Sequence, residues 1–332
     1  MSTLQFADIG AICERGSVKD TDVAMLRRAL AQEASLEPVH IDALFTIHNT
    51  CPVQAPAWTE FFLNTVTDYI VREAEPSGYV TRHQSEWLIT RISDAGGRVA
   101  TKTEFDLLMD VLKQSRWAPV SLACFALGQI RNAVLAGTGP LRGASPLVPG
   151  RITSAEVESV RTILCAYGAE GTMAITRAEA EVLFAINDAV CPPNCATEGP
   201  DAAGWSPLFV SAIVAAMMAA SGYAVPSRER MLQDEPWLAR EVDHRGGMPR
   251  LLASYRTQSP EERALERLER QRVEIITGEP VRELQAEWLA QRLGSSGLRG
   301  RNEEAVLTAL TDAGIRLAPP LQALLDRHCR AA

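Results

Sequence analysis

The chain reads as all-α, assembled from duplicated helical-bundle units with pseudo-symmetric internal repeats, and three observations predict it. Apolar residues recur at helical spacing over nearly the whole length. Strand-like alternation is nearly absent, and only 6% of residues are aromatic. The sequence also repeats itself. Ala43-Leu44-Phe45-Thr46-Ile47-His48-Asn49 returns as Val182-Leu183-Phe184-Ala185-Ile186-Asn187-Asp188. Trp58-x-x-x-Phe62 returns as Trp205-x-x-x-Phe209, and Ser77-Gly78-Tyr79 as Ser221-Gly222-Tyr223. Glu86-Trp87-Leu88-x-x-Arg91, Glu104 and Ala118-Pro119 return as Glu287-Trp288-Leu289-x-x-Arg292, Glu304 and Ala318-Pro319. Units repeated in this way bury their apolar faces on one another.

Taken in order, Val23, Leu26 and Leu30 mark the first apolar stripe, and Ile41, Leu44, Phe45 and Ile47 the second. A helix is expected near Trp58 to Val71, and Thr81 caps the next. Thr101-x-x-Glu104, Thr153-x-x-Glu156 and Thr176-x-x-Glu179 fit the capping box, in which hydroxyl and carboxylate each take a backbone N–H at the helix start. Ser259-Pro260-Glu261-Glu262 does the same with proline at the first helical position. Leu107, Leu108, Val111 and Leu112, then Val157, Val160, Ile163 and Leu164, form the stripes behind two of these caps. Gly16-Ser17-Val18, Gly97-Arg98-Val99 and Gly150-Arg151-Ile152 precede helix starts. Each glycine is expected to end a helix in a left-handed turn, and each β-branched residue to plug the core.

The layout that follows is a first helical unit at 1–138, a Gly/Pro/Ser-rich linker at 139–149 and the front half of a second unit at 150–225. A divergent helical insert fills 226–276, and 277–332 repeats the back half of the first unit. The insert's helix, Pro260 to Ile276, is dense in Glu and Arg at i,i+4 spacing. Leu265, Leu268 and Ile275 are its apolar stripe, and its charged side reads as a solvated face or a partner contact.

Composition narrows the function classes. With 332 residues, 46% hydrophobic and 22% charged, the chain has the make-up of an ordinary globular protein of two or three domains. Its net charge of −8 and pI near 5.3, without a long Lys/Arg run, disfavour nucleic acid. Met1 to Arg15 lacks the basic start and apolar core of a signal peptide. Seven scattered cysteines do not read as a disulfide framework and point to a reducing cytoplasm. Leu208 to Val225 is uncharged and long enough to cross a bilayer, but Ala, Ser and Gly dominate it. Its counterpart in the first unit carries Glu60, Asp68 and Tyr69. A buried core helix is expected, with its small residues forming a close helix contact or a dimer seam.

The candidate chemistry is sparse. Cys191-Pro192-Pro193-Asn194-Cys195 departs from the Cys-x-x-Cys spacing of metal and redox pairs, and Cys51-Pro52 holds the corresponding place in the first unit. A helix-ending cysteine is the plain reading, and redox or metal binding the sharper one. Cys13, Cys124, Cys165 and Cys329 read as single buried or terminal thiols. His40, His48, His83, His244 and His328 are dispersed, and His48 aligns with Asn187. No zincin, Walker or nucleophile-elbow motif occurs. Glu179, Glu181 and Asp188 form the densest acidic set, read as solvated helix-face acids, with Asp42 matching Glu181 in the first unit. Trp58, Trp87, Trp205, Trp237 and Trp288 read as recurrent packing residues, or alternatively as the lining of a binding groove.

Two helical families resemble parts of this pattern. Gly150-Arg151-Ile152-Thr153-Ser154-Ala155-Glu156 is similar to the back half of an EF-hand loop, as is Gly16 to Asp22. Ala11-Ile12-Cys13 and Ser145-Pro146-Leu147 replace the oxygen ligands that precede the glycine, so calcium binding is not implied. Glu170-Gly171, Ile175 and Glu179-Ala180-Glu181-Val182-Leu183-Phe184 resemble the signature of TerB-like domains of the tellurite-resistance group, around 155–220 and more loosely 20–75. That resemblance implies an all-α, stress-associated cytoplasmic module that binds a divalent metal or sits on a protein complex. Without a convergent catalytic or cofactor-binding set, the leading expectation is a non-enzymatic helical repeat protein of the bacterial cytoplasm, acting through a protein partner or as a homo-oligomer. A TerB-like metal-binding module is the alternative, and an enzyme with a site between the two units the second alternative.

Overall fold

A computed structural model describes residues 6–33, 35–143, 146–166, 175–192, 204–224, 252–253, 255–280, 284–294 and 300–331. The described residues are all-α, with two minimal two-residue ladders. The first half comprises α1 (Phe6–Arg15), α2 (Asp20–Leu30), α3 (Pro38–Thr50), α4 (Pro56–Asp68), α5 (Arg82–Ile92), α6 (Lys102–Gln114) and α7 (Val120–Ala136). After the connector come α8 (Ser154–Ala166), α9 (Arg177–Val190) and α10 (Trp205–Ala220). Then follow α11 (Pro260–Thr277), α12 (Ala286–Gly294), α13 (Arg301–Asp312) and α14 (Pro319–Ala331). Strand β1 (Ser17–Val18) pairs in parallel with β2 (Val53–Gln54), and β3 (Tyr223–Ala224) antiparallel with β4 (Arg256–Thr257).

Local chemistry sets the helix starts. Thr81, Thr101, Thr176 and Ser259 each accept the backbone N–H three residues on, and the residue at that position reaches back to the cap. Thr153 and Glu156 do the same at α8. Gly16 ends α1 at φ 65°, and Val18 then plugs the core. The other two glycine plugs differ from expectation. Gly97 closes a turn built on Asp94 after α5 has ended, and Gly150 closes the connector rather than a helix. Both are nonetheless left-handed, and Val99 and Ile152 are buried behind them. At α13 the capping carboxylate is Glu303, which accepts the Gly300 N–H at 3.0 Å. Glu304, the residue matched to Glu104 by sequence, instead lies 3.6 Å from His328.

One continuous apolar core runs from Ile9 to Leu325. Helix α7 lies against α9 and α8, and α6 against α8, so the two halves pack across the connector. Similar contacts recur in each half. Phe45 meets Phe62 and Trp87 edge-on at 5.1 and 5.7 Å, and Phe184 meets Phe209 and Trp288 edge-on at 5.3 and 6.2 Å. Helix α4 packs on α6 and α5 on α7; α10 packs on α13 and α12 on α14.

The uncharged helix α10 is a core element, buried along nearly its full length. Among the described residues no helix is long and apolar enough to cross a membrane. Ala212, Ala215 and Ala216 are buried within the chain, which removes the small-residue dimer seam from this helix. The connector is also held down. Gly137 caps α7 at φ 79°, and a Cβ there would sit 2.2 Å from the Leu147 carbonyl oxygen. Leu147 and Gly150 donate backbone hydrogen bonds to Gly137 and Val134 at 2.8 and 2.9 Å.

Candidate functional site

The acids singled out by sequence do not converge. Glu181 pairs with Arg177 one turn away at 2.8 Å, and Asp188 with Arg292 at 2.6 Å. Glu179 corrects the expectation of a solvated face: it is buried, because its carboxylate is the capping partner of Thr176 at the packed start of α9. Its Oε1 has no hydrogen-bond partner. Burial holds its pKa above the ordinary carboxylate range, against the lowering effect of the Thr176 N–H and hydroxyl. In the first half Asp42 meets Arg91 at 2.6 Å. The sequence match would pair Arg292 with Glu181. Arg292 instead reaches Asp188 and Glu303 while lying 4.4 Å over the Phe184 ring.

His48 and Asn187 hold one role with different chemistry. The Trp58 indole donates to His48 Nδ1 at 3.4 Å, and the Trp205 indole to Asn187 Oδ1 at 3.4 Å. His48 stacks on Phe62 with centroids 4.4 Å apart, and burial lowers its pKa, partly offset by Glu104. A neutral, packed imidazole accepting from an indole is a structural group. Asn302 adds a bond to Asn187 at 2.7 Å and lies 3.5 Å from the Cys191 sulfur, closing a buried polar node between α9, α10 and α13. His40 caps α3 through the Glu37 N–H, and His83 is exposed. Among the described residues no group of three or more His, Cys, Asp or Glu side chains is placed to hold a metal. His244, Trp237, Cys195 and Glu170-Gly171 lie outside the described residues.

Trp58 and Trp205 are fully buried, and Trp87 and Trp288 pack against the core, so these four indoles serve packing rather than a groove. Cys191 ends α9, as Cys51 ends α3. Sequence reasoning treated Cys13 and Cys51 as unrelated. In the fold they are neighbours: the Cys51 thiol lies 3.6 Å from the carbonyl of Ile12, the residue just before Cys13, and Cys13 helps to raise the Cys51 pKa. It also missed the buried pair of Arg142 and Glu156, joined at 2.7 and 3.0 Å. The one available signal was a lone arginine inside a Gly/Pro-rich stretch. Glu156, which an EF-hand would offer to calcium, is thereby committed to an arginine and to its own helix cap.

The surface feature that stands out is α11. The stripe Leu265, Leu268 and Ile275 points to solvent at 66%, 61% and 83% exposure. Val273 and Thr277, on the opposite side, are the residues α11 buries. At 100° per residue the centre of the stripe lies roughly 150° around the helix from the centre of the buried side. Helix α11 is therefore apolar on an outward face, with the Arg272–Glu269 ion pair beside the stripe and the Arg270–Glu266 pair on the inward side.

No protein-family model, no curated protein and no solved structure matches this chain.

Proposed function

We propose that the chain is a non-catalytic helical scaffold of the cytoplasm, built on a duplicated helical unit, whose work is to bind protein through α11. The exposed Leu265/Leu268/Ile275 stripe carries this reading. Three large apolar side chains in solvent on one helix face leave unrealised about 25 cal/mol of burial per Å² of apolar surface, and such faces mark interaction sites. Helix-in-groove recognition uses anchors three and seven residues apart, the spacings of Leu265 to Leu268 and of Leu268 to Ile275. The paired Phe45 and Phe184 clusters support the duplication. Recurring residues that serve caps and packing support a scaffold over an enzyme.

A photo-crosslinking amino acid placed at position 268 in the native host, with position 267 on another exposed face as control, tests this. Discrete adducts at 268 that are absent at 267 are the expected result. Equal, diffuse or absent labelling at both positions sinks the reading.

A further inference from the structure

The order of residues along the outward face of α11 narrows the partner. Leu265, Leu268, Arg272 and Ile275 follow one another at intervals of three, four and three, the a/d seam of a two-helix contact. That spacing reads the same in both directions. An antiparallel second copy, with its two-fold axis on the outward face at the level of residue 270, sets Leu265 against Ile275 of the partner and Leu268 against the aliphatic stem of its Arg272. The guanidinium of Arg272 then lies beside the partner's Glu269, the group it already meets at 3.5 Å within its own helix. A parallel arrangement instead stacks Arg272 on Arg272 and Glu269 on Glu269, which costs energy in a seam sheltered from water. Opposed helix dipoles also favour the antiparallel direction. Among the described residues the other exposed large apolar side chains, Val39, Val53, Leu135, Leu147 and Val148, are spread over four separate elements. None of those elements offers a comparable row.

From this self-complementarity we infer that the occupant of the α11 face is a second copy of the chain, paired antiparallel with its centre at the level of residue 270. The inference rests on the docking reading above and names its partner. The resulting interface is isologous and closed. With α11 about 27 Å long, the contact is small, and it belongs to the weak, concentration-dependent class.

Sedimentation velocity of the full chain over about two decades of concentration tests it. Wild type is expected to shift from monomer towards dimer as concentration rises, and Leu268→Glu to remain monomeric with unchanged far-UV circular dichroism. Arg272→Glu, which sets carboxylate against the partner's Glu269, is expected to weaken dimerisation by about tenfold or more. Adding Glu269→Arg reverses both charges and is expected to restore it, a rescue that a folding defect does not produce. A wild-type chain that is monomeric throughout overturns the self-pairing. So does a dimer indifferent to both Leu268→Glu and Arg272→Glu. Adducts at position 268 to a different protein, together with a monomeric pure chain, leave the docking reading standing and remove only the second copy.

Discussion

At the scale of single residues, Glu179 shows how a helix cap becomes a titration element. Its pKa is raised in the folded chain above its unfolded value. The stability it contributes is therefore complete below the ordinary carboxylate range and is lost as pH rises through the folded pKa. Glu179→Gln keeps the reciprocal bonds of the capping box and removes the buried charge. The melting temperature of the variant relative to wild type is expected to rise as pH increases above the ordinary carboxylate range. A difference that is flat with pH, or that runs the other way, refutes the assignment. Cys13 and Cys51 supply a second residue-scale prediction. Burial, and then Cys13 itself, pushes the Cys51 thiol up, so the half-buried Cys13 is the thiol an oxidant reaches first. Diamide, itself reduced to the hydrazine as the two thiols lose their protons and two electrons, is expected to join the pair as a disulfide. Peptide mapping after digestion reads this directly. Failure to recover a linked Cys13–Cys51 peptide from wild type counts against their proximity.

At the scale of elements, the capped helix start was the most legible feature, because Thr101, Thr153, Thr176 and Ser259 meet partners three residues away. The fold class followed from the same local information, read as apolar period. What stayed hidden was set by distant neighbours. Nothing near Asp188 in sequence says that Arg292 will choose it over Glu181; the choice depends on Arg177 already occupying Glu181. Nothing in the α11 pattern says which of its two apolar sides turns inward, since Val273 with Thr277 and Leu265 with Leu268 are equally regular. The pair of Arg142 and Glu156 was invisible for the same reason, and it makes the sharpest prediction about elements. Both side chains are sealed from solvent, at 0% and 1% exposure. Arg142→Met leaves an unpaired carboxylate there and is expected to cost about 3–5 kcal/mol. Combining it with Glu156→Gln, which still caps α8, is expected to recover much of that loss. Urea denaturation of the four proteins in the cycle measures it; a loss below about 1 kcal/mol for the single variant contradicts a dry, essential pair.

At the scale of the whole molecule, the continuous core decides how the chain comes apart. Helices α7 and α9 join the two halves, so neither can lose its packing without stripping the other. Thermal unfolding followed by far-UV circular dichroism and by tryptophan fluorescence is expected to give one coincident transition. Two separated transitions would mean that the halves are independent bodies. The stretch between them looks on composition like a natural place to splice in a reporter or a protease site. With Leu147 and Gly150 hooked back onto the last turn of α7 and Arg142 driven inward, an insertion at 143 pulls out a rivet rather than lengthening a leash. Engineers tagging this molecule internally are better served by the exposed Asp94–Gly97 hairpin turn.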